Sequence, residues 1–286
     1  MLHSMRPLAR AARWAAAAAV VLTLPSRAVA WGGDGHQIVA LIAEERLTPE
    51  ARRAVADLLG PGNHISDAEV ANWADQVRRE RRDTGPWHYV DIPLECKAYD
   101  PGRDGKGGNN VVDRLVAFEA VLADARAPKE ARAEALRFVV HLVGDLHQPL
   151  HCADRNGDKG GNGRLVFFPG RGRAVNLHQT WDSLVLLRHR GTARVLDYAV
   201  KLNAAVSTAQ AEQWQAGAPE AWANEAHEVA AKVVYAGVPA DGPPPRLDAV
   251  YLAKAAQVTD EQLQKAGVRL AAVLNRAAAS RAEPRS

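Results

Sequence analysis

Two histidine–aspartate pairs stand out in the sequence, His141 with Asp145 and His178 with Asp182, each four residues apart. On a helix that spacing puts both side chains on one side. The first pair sits among Phe138, Val139, Val140, Leu142, Val143 and Leu146, so its helix is apolar on nearly every face and must be buried. A lone carboxylate there is costly to desolvate and needs a cation or strong donors. A buried His–Asp hydrogen bond would meet that need for one pair. The second pair is flanked by Leu177, Trp181, Leu184 and Val185, and a further histidine, His151, follows Pro149. Together they shift the reading to metal ligation. Imidazole and carboxylate donors point first to zinc, and iron or manganese would also accept them.

Other residues carry less when taken singly. His147 lies four residues from His151 but points away from His141 and Asp145 on an ideal helix, so a supporting or surface role is expected. Asp75 falls off the Val70–Trp73–Val77 face and by pattern alone is a solvated carboxylate. His88, between Trp87 and Tyr89, could be a packed core histidine, and His36 a surface residue. His64, His189 and His227 lack a partner at telling spacing and read as structural or exposed.

Helical patterns position these groups. Gly35 to Leu47 carries Ile38, Leu41 and Ile42 on one face. Thr48 and Pro49 open a second helix that runs to Gly60. Ser66 with Glu69 predicts a capping box for a third over 67–82. Others are expected from Asn110 to Arg126, from Pro128 to just before Pro149, and after Asn176, Thr192, Pro219 and Leu247. Thr259 with Gln262 reads as the cap of the last. Trp87 to Pro93 reads extended, and Leu165–Phe168 with Ala174–Val175 predicts a small hairpin. Loops gather at 100–110, 154–163 and 239–245, and none reads as a linker. The expected fold is all-α, a single mostly helical domain with a small β-hairpin.

The chain has 286 residues, 47% hydrophobic and 24% charged, which excludes a disordered or collagen-like chain and a small disulfide scaffold. Its formal charge of +3 misleads, because residues 1–30 contain Arg6, Arg10, Arg13 and Arg27 and no acid. Without them 32 basic face 33 acidic side chains, a net charge of −1, so any affinity for phosphate must come from a local site. That segment has a basic leader, an Ala/Val/Leu run over 14–24 too short to span a bilayer, and a small-x-small end at Ala28–Ala30. It reads as a cleaved signal peptide. The expected mature domain is 31–286, periplasmic or secreted, with no membrane anchor. Cys96 and Cys152 permit one disulfide, the expectation in such a compartment; the alternative is two free buried thiols.

The motifs also fall in a telling order. Trp31-Gly32-x-x-Gly35-His36 follows the cleavage site, then Asn72-Trp73-Ala74-Asp75 and Trp87-His88-Tyr89. Next come His141-x-x-Gly144-Asp145-x-x-Gln148-Pro149-Leu150-His151, Gly160-Gly161-Asn162 and Asn176-Leu177-His178-x-x-Trp181-Asp182. This pattern resembles the secreted zinc-dependent, single-strand-preferring nucleases of the S1/P1 type, distant relatives of bacterial zinc phospholipase C.

The resemblance implies three zinc ions per chain. One would be held by Asp75, His88, His141 and Asp145, and a second by His151, His178 and Asp182. The third would take His36, bridging Asp145, and the α-amine and carbonyl oxygen of Trp31. It further implies hydrolysis of single-stranded DNA and RNA by a zinc-activated hydroxide, giving 5′-phosphate products, with 3′-nucleotidase activity. Asp75 and Asp145 would serve catalysis through the metals, and Arg78, one turn beyond Asp75, would neutralise transition-state charge. Tyr89 would stack on a base and Asp91 contact its edge, while Asn162 would border the cleft. The substrate partner is thus a single-stranded nucleic acid or nucleotide, and the default assembly is a monomer.

Two rivals remain at this point. A zinc phospholipase C would carry Glu rather than Asp at position 182 and a wider step from the first Trp to the first His. A non-catalytic periplasmic zinc-binding protein would close its sites with four protein ligands, whereas His151, His178 and Asp182 supply three.

Overall fold

Local signals set several of the helix starts. Thr48 Oγ1 accepts the Ala51 amide and Pro49 occupies the first turn of α2 (Pro49–Leu59). Asn110 accepts the amides of Val112 and Asp113 to begin α5 (Val111–Ala123). Asn176 accepts the Gln179 amide to begin α7 (Leu177–Gln179). Each side chain satisfies donors that the helix itself cannot. The computed structural model describes residues 31–282; the signal peptide expected over 1–30 lies outside the described residues.

The remaining helices are α1 (Gly33–Glu45), α3 (Ala68–Ala71), α4 (Trp73–Val77), α6 (Lys129–Leu146), α8 (Val185–Arg190), α9 (Val195–Ala204), α10 (Thr208–Trp214), α11 (Pro219–Val229) and α12 (Ala249–Ala282). Short 3-10 helices cover Arg82–His88 and Pro149–Cys152, and π turns cover Thr180–Leu184 and Ala230–Val234. The one sheet among the described residues pairs Leu165 with Asn176 and Val166 with Val175, antiparallel. The fold is mostly α-helical with a small hairpin. No described helix is long and apolar enough to cross a membrane.

Helix α6 is the axis of the packing. Every residue from Phe138 to Leu146 is fully buried, and α1, α2, α3, α4, α5, α11 and α12 all touch it. One large apolar cluster joins α1, α2, α5, α6 and the second half of α12. A second gathers Leu150, Val166, Leu177, Trp181 and the first half of α12.

Several local expectations are corrected. The helix over 67–82 is broken at Asn72 into α3 and α4, and Ser66 caps neither; its hydroxyl donates to Glu44 instead. The stretch from Trp87 is not extended at its start, because Trp87 and His88 end the 3-10 helix. Thr259 and Gln262 cap nothing: both are buried within continuous α12. The unforeseen helix α10 carries a complete capping box from Ser207 and Gln210.

Cys96 and Cys152 form no disulfide. Cys152 is fully buried with its thiol turned to the Leu146 carbonyl at 3.5 Å. The ring of His227 bridges the two cysteine backbones, its Nδ1 and Nε2 lying 3.0 and 2.9 Å from the carbonyl oxygens of Cys152 and Cys96.

Candidate metal centre and nuclease cleft

Seven elements bring the singled-out residues together. Helix α1 supplies His36, α4 supplies Asp75, the 3-10 helix Arg82–His88 supplies His88, and α6 supplies His141 and Asp145. The short helix Pro149–Cys152 supplies His151, and α7 with the following π turn supplies His178 and Asp182. All are buried. Three groups converge tightly enough to share an ion: His36, His141 and Asp145; Asp75, His88 and His141; and His151, His178 and Asp182.

Asp145 sits at the centre. Its carboxylate oxygens lie 3.4 Å from His36 Nε2, 2.8 Å from His88 Nδ1, 3.4 Å from His141 Nε2 and 3.6 Å from His151 Nδ1. Burial alone would push its carboxyl up, but the surrounding imidazoles of His141, His36 and His88 hold it well below the usual carboxylate range. Burial and the adjacent His36 lower His141 to about 4, so it is neutral and ready to donate a lone pair. Burial likewise lowers His178. For His151 burial works downward, yet Asp182 and Asp145 together raise it.

The backbone fixes which nitrogen of each ring faces inward. Nδ1 of His141 donates to Ala71 O at 2.9 Å, that of His151 to His88 O at 2.8 Å, and that of His178 to Gly160 O at 2.6 Å. This leaves each Nε2 with a lone pair directed at the site, the arrangement that orients metal-binding histidines. Gln148 Nε2 donates to Asp182 Oδ1, and Gln148 Oε1 accepts the Leu150 amide at 2.5 Å.

The donor set fits a metal cluster on one further observation. His36 Nδ1 and Nε2, both oxygens of Asp75, Asp145 Oδ1, Asp182 Oδ2 and the Nε2 atoms of His88, His141 and His151 are buried without a hydrogen-bond partner. Asp75 Oδ1 has only an ion-pair contact, 3.2 Å from Arg78 Nη2. Each buried polar atom left unsatisfied costs about 1–3 kcal/mol, and a convergence of them is the signature of ligands for a cation.

Trp31 is fully buried beside the site. The next residue, Gly32, donates its amide to the carbonyl oxygen of Asp182 at 2.7 Å, and Gly32 O accepts the Gly35 amide at 2.6 Å. The backbone at the head of α1 is thereby pinned to the second His–Asp pair.

A cleft of about 330 Å³ opens over this centre, lined by Arg78, His88, Tyr89, Asp91, Leu150, His151, Lys159, Asn162 and His178. Tyr89 is 40% exposed. Asp91 is exposed at its outer surface, yet partial desolvation against the cleft wall, with Asp154 and Asp158 nearby, pushes its carboxyl up to about 6. Asn162 Nδ2 is committed to Lys159 O at 2.8 Å.

Some readings change. Asp75 is buried, on the separate helix α4 that begins after the break at Asn72. His147 is not at the surface: fully buried, it donates from Nδ1 to Val143 O at 2.7 Å and its Nε2 accepts from Arg269 Nη1 at 2.9 Å. Among the remaining histidines, His227 is buried, His64 is exposed near Glu44 and His189 pairs with Asp260. Sequence reasoning missed Gln148 as a partner of Asp182, although it lies inside the His141–His151 string. The orienting carbonyls of Ala71, His88 and Gly160 carry no side-chain signal at all.

The comparisons with known proteins agree with this geometry. The family model described as S1/P1 Nuclease matches residues 31–279. Endonuclease 2 of Arabidopsis thaliana is 31% identical over 268 residues, 86% of this chain and 90% of the relative. Nuclease P1 of Penicillium citrinum is 29% identical over 86% of this chain and 97% of its own length. Nuclease S1 of Aspergillus oryzae is 33% identical over 58% of each. A match spanning nearly all of the described residues, over a site built as such chemistry requires, shows that the chain belongs to the S1/P1 nuclease family and is a nuclease.

Proposed function

We propose that the protein hydrolyses single-stranded DNA and RNA to 5′-phosphate products, and 3′-nucleotides as well, with three zinc ions held by its buried His/Asp centre. The observation that carries this reading is the convergence of unpartnered ring nitrogens and carboxylate oxygens directly beneath a cleft with an exposed aromatic face. Asp75, His88, His141 and Asp145 would hold one ion and His151, His178 and Asp182 a second. His36, Asp145 and the backbone of Trp31 would hold the third. Zinc bound there supplies Lewis acidity and brings water into its reactive ionisation state near neutral pH.

The chain's own groups do the rest. Asp145, kept ionised by the imidazoles of His141, His36 and His88, is the shared anion of the centre. Gln148 and the three backbone carbonyls hold the ligands in orientation. Arg78, across from Asp75, offsets charge gathering on phosphorus. Tyr89 presents a face on which an unpaired base stacks, which a paired duplex base cannot offer. Asp91 accepts from the edge of that base. Asn162 holds the 159–162 turn and leaves its side-chain oxygen as an acceptor at the cleft. Removal of residues 1–30 would free the Trp31 amine and place the enzyme in the periplasm or outside the cell.

The test is turnover of single-stranded DNA, duplex DNA, RNA, 3′-AMP and phosphatidylcholine by chains beginning at Trp31, with and without chelator. Release of 5′-nucleotides from single strands, abolished by chelator and restored by zinc, is expected. Equal cleavage of duplex, or activity indifferent to chelator, would contradict the reading.

A further inference from the structure

The loop over 154–163 places one cation at the cleft that the chemistry above leaves unused. Lys159 is exposed and lines the cleft together with Tyr89, Asp91 and Asn162. Among the described residues its ammonium makes no ion pair within 4.0 Å and acts only at longer range on the Asp91 carboxylate, whereas Arg78, the other non-histidine cation of the lining, contacts Asp75.

The backbone holds Lys159 firmly. Its amide donates to Asp154 Oδ1 at 2.7 Å, and its carbonyl accepts from Asn162 Nδ2 at 2.8 Å. The next residue, Gly160, carries the carbonyl that orients His178. Lys159 also adopts φ +56°, a left-handed conformation that costs a side-chain-bearing residue roughly 1 kcal/mol or more where glycine or asparagine would not suffer. The same turn holds Asn156 at φ +57° and glycines of positive φ at 157, 160 and 161, so it runs largely through the left-handed region and carries Lys159 at the wall of the cleft.

A lysine ammonium is a compact point charge suited to phosphate rather than to the paired edge of a base. The base side of the cleft already has Tyr89 and Asp91, and the reacting phosphate belongs over the buried centre. We infer that Lys159 is a substrate-binding residue that holds a phosphate of the strand adjacent to the one being cleaved, so that it favours polynucleotides over mononucleotides. This rests on the nuclease reading of the cleft.

The experiment compares wild type with Lys159→Asn, which tolerates the left-handed backbone but loses the charge, and with Lys159→Arg, which keeps it. KM and kcat are measured on an oligothymidylate and on 3′-AMP over a range of NaCl, with zinc content as the check on the site. A 3′-mononucleotide has no neighbouring phosphate. Lys159→Asn is expected to raise KM for the oligonucleotide about fivefold at low salt and to reduce the slope of log KM against log salt by about 0.7. KM for 3′-AMP and zinc content should stay as in wild type, and Lys159→Arg should restore the slope. An unchanged slope, an equal rise in KM for 3′-AMP, or a change in base preference alone would overturn the inference while leaving the nuclease reading intact. A wild type that cleaves neither substrate would remove both.

Discussion

A Cβ built on Gly144 would lie 2.7 Å from His36 Nδ1 and 3.0 Å from its Cε1. The absence of a side chain in the last turn of α6 is therefore what lets α1 bring His36 against α6, where its ring stacks on His141 at 3.8 Å. Gly144→Ala would normally favour a helix by about 0.5–1 kcal/mol, but overpacking a full site costs about 1–3 kcal/mol. Net destabilisation with loss of bound zinc is expected, read by thermal unfolding and elemental analysis. Gly172→Ala, with open space around it, is the matched control and should change neither. A Gly144→Ala protein with wild-type metal content would show that His36 does not depend on this approach.

Gln148 holds Asp182 by an amide donor buried beside it. Gln148→Leu keeps the volume and removes the donor, so the carboxylate is free to rotate. Partners of this kind change metal affinity by about 10–100-fold when lost. Competition with a graded chelator should show weaker zinc retention in the variant, with the helical circular dichroism spectrum unchanged. Equal retention would mean that packing alone orients Asp182.

Asp91 makes the cleft sensitive to pH. Its carboxyl, raised to about 6, is protonated below that value and loses the charge that makes it a strong acceptor for a base edge. KM for single strands should rise as pH falls through about 6, and Asp91→Asn should flatten that limb. The stability effect has the opposite sign. Because the folded value lies above the unfolded one of about 3.9, ionised Asp91 costs stability increasingly from about pH 4 to 6 and fully above it. In chelated protein, Asp91→Asn should therefore raise the melting temperature at pH 8 and leave it unchanged at pH 3.5; a fall at pH 8 would contradict this.

The cysteines give a simple chemical check. Burial raises the Cys152 thiol far above its ordinary value, while Cys96 is only partly buried. Iodoacetamide should label Cys96 alone in native protein and both residues after denaturation. No labelling in either state would reveal a disulfide.

How much of the site was legible depended on whether a residue's neighbours in sequence are also its neighbours in space. His141 with Asp145 and His178 with Asp182 could be read because i,i+4 spacing on an apolar segment is both a local and a tertiary statement. Asp75 could not, since the pattern of a continuous helix over 67–82 set it off the apolar face, whereas the structure breaks that helix at Asn72 and buries Asp75 on α4. The same limit explains α12: Thr259 and Gln262 have the residue types of a cap, yet tertiary burial carries the helix straight through them. Ser207 and Gln210 show the reverse, a true capping box in a polar stretch without a strong apolar stripe. Lys159 needed the structure, because neither its conformation nor its place at the cleft follows from composition.

We propose that Trp31, whose neighbour Gly32 is tied to Asp182, would complete a three-zinc centre with the amine that cleavage before it frees. An amide nitrogen is a poor zinc ligand, whereas a neutral α-amine, with an ordinary pKa of about 7.7–8.0, becomes a good one as metal binding displaces its proton. Zinc per chain, measured by elemental analysis on protein beginning at Trp31 and on protein carrying extra residues before it, tests this most directly. Three ions in the first and fewer in the second, with activity lost in parallel, is the predicted result. Equal zinc content and equal activity in the two would contradict it.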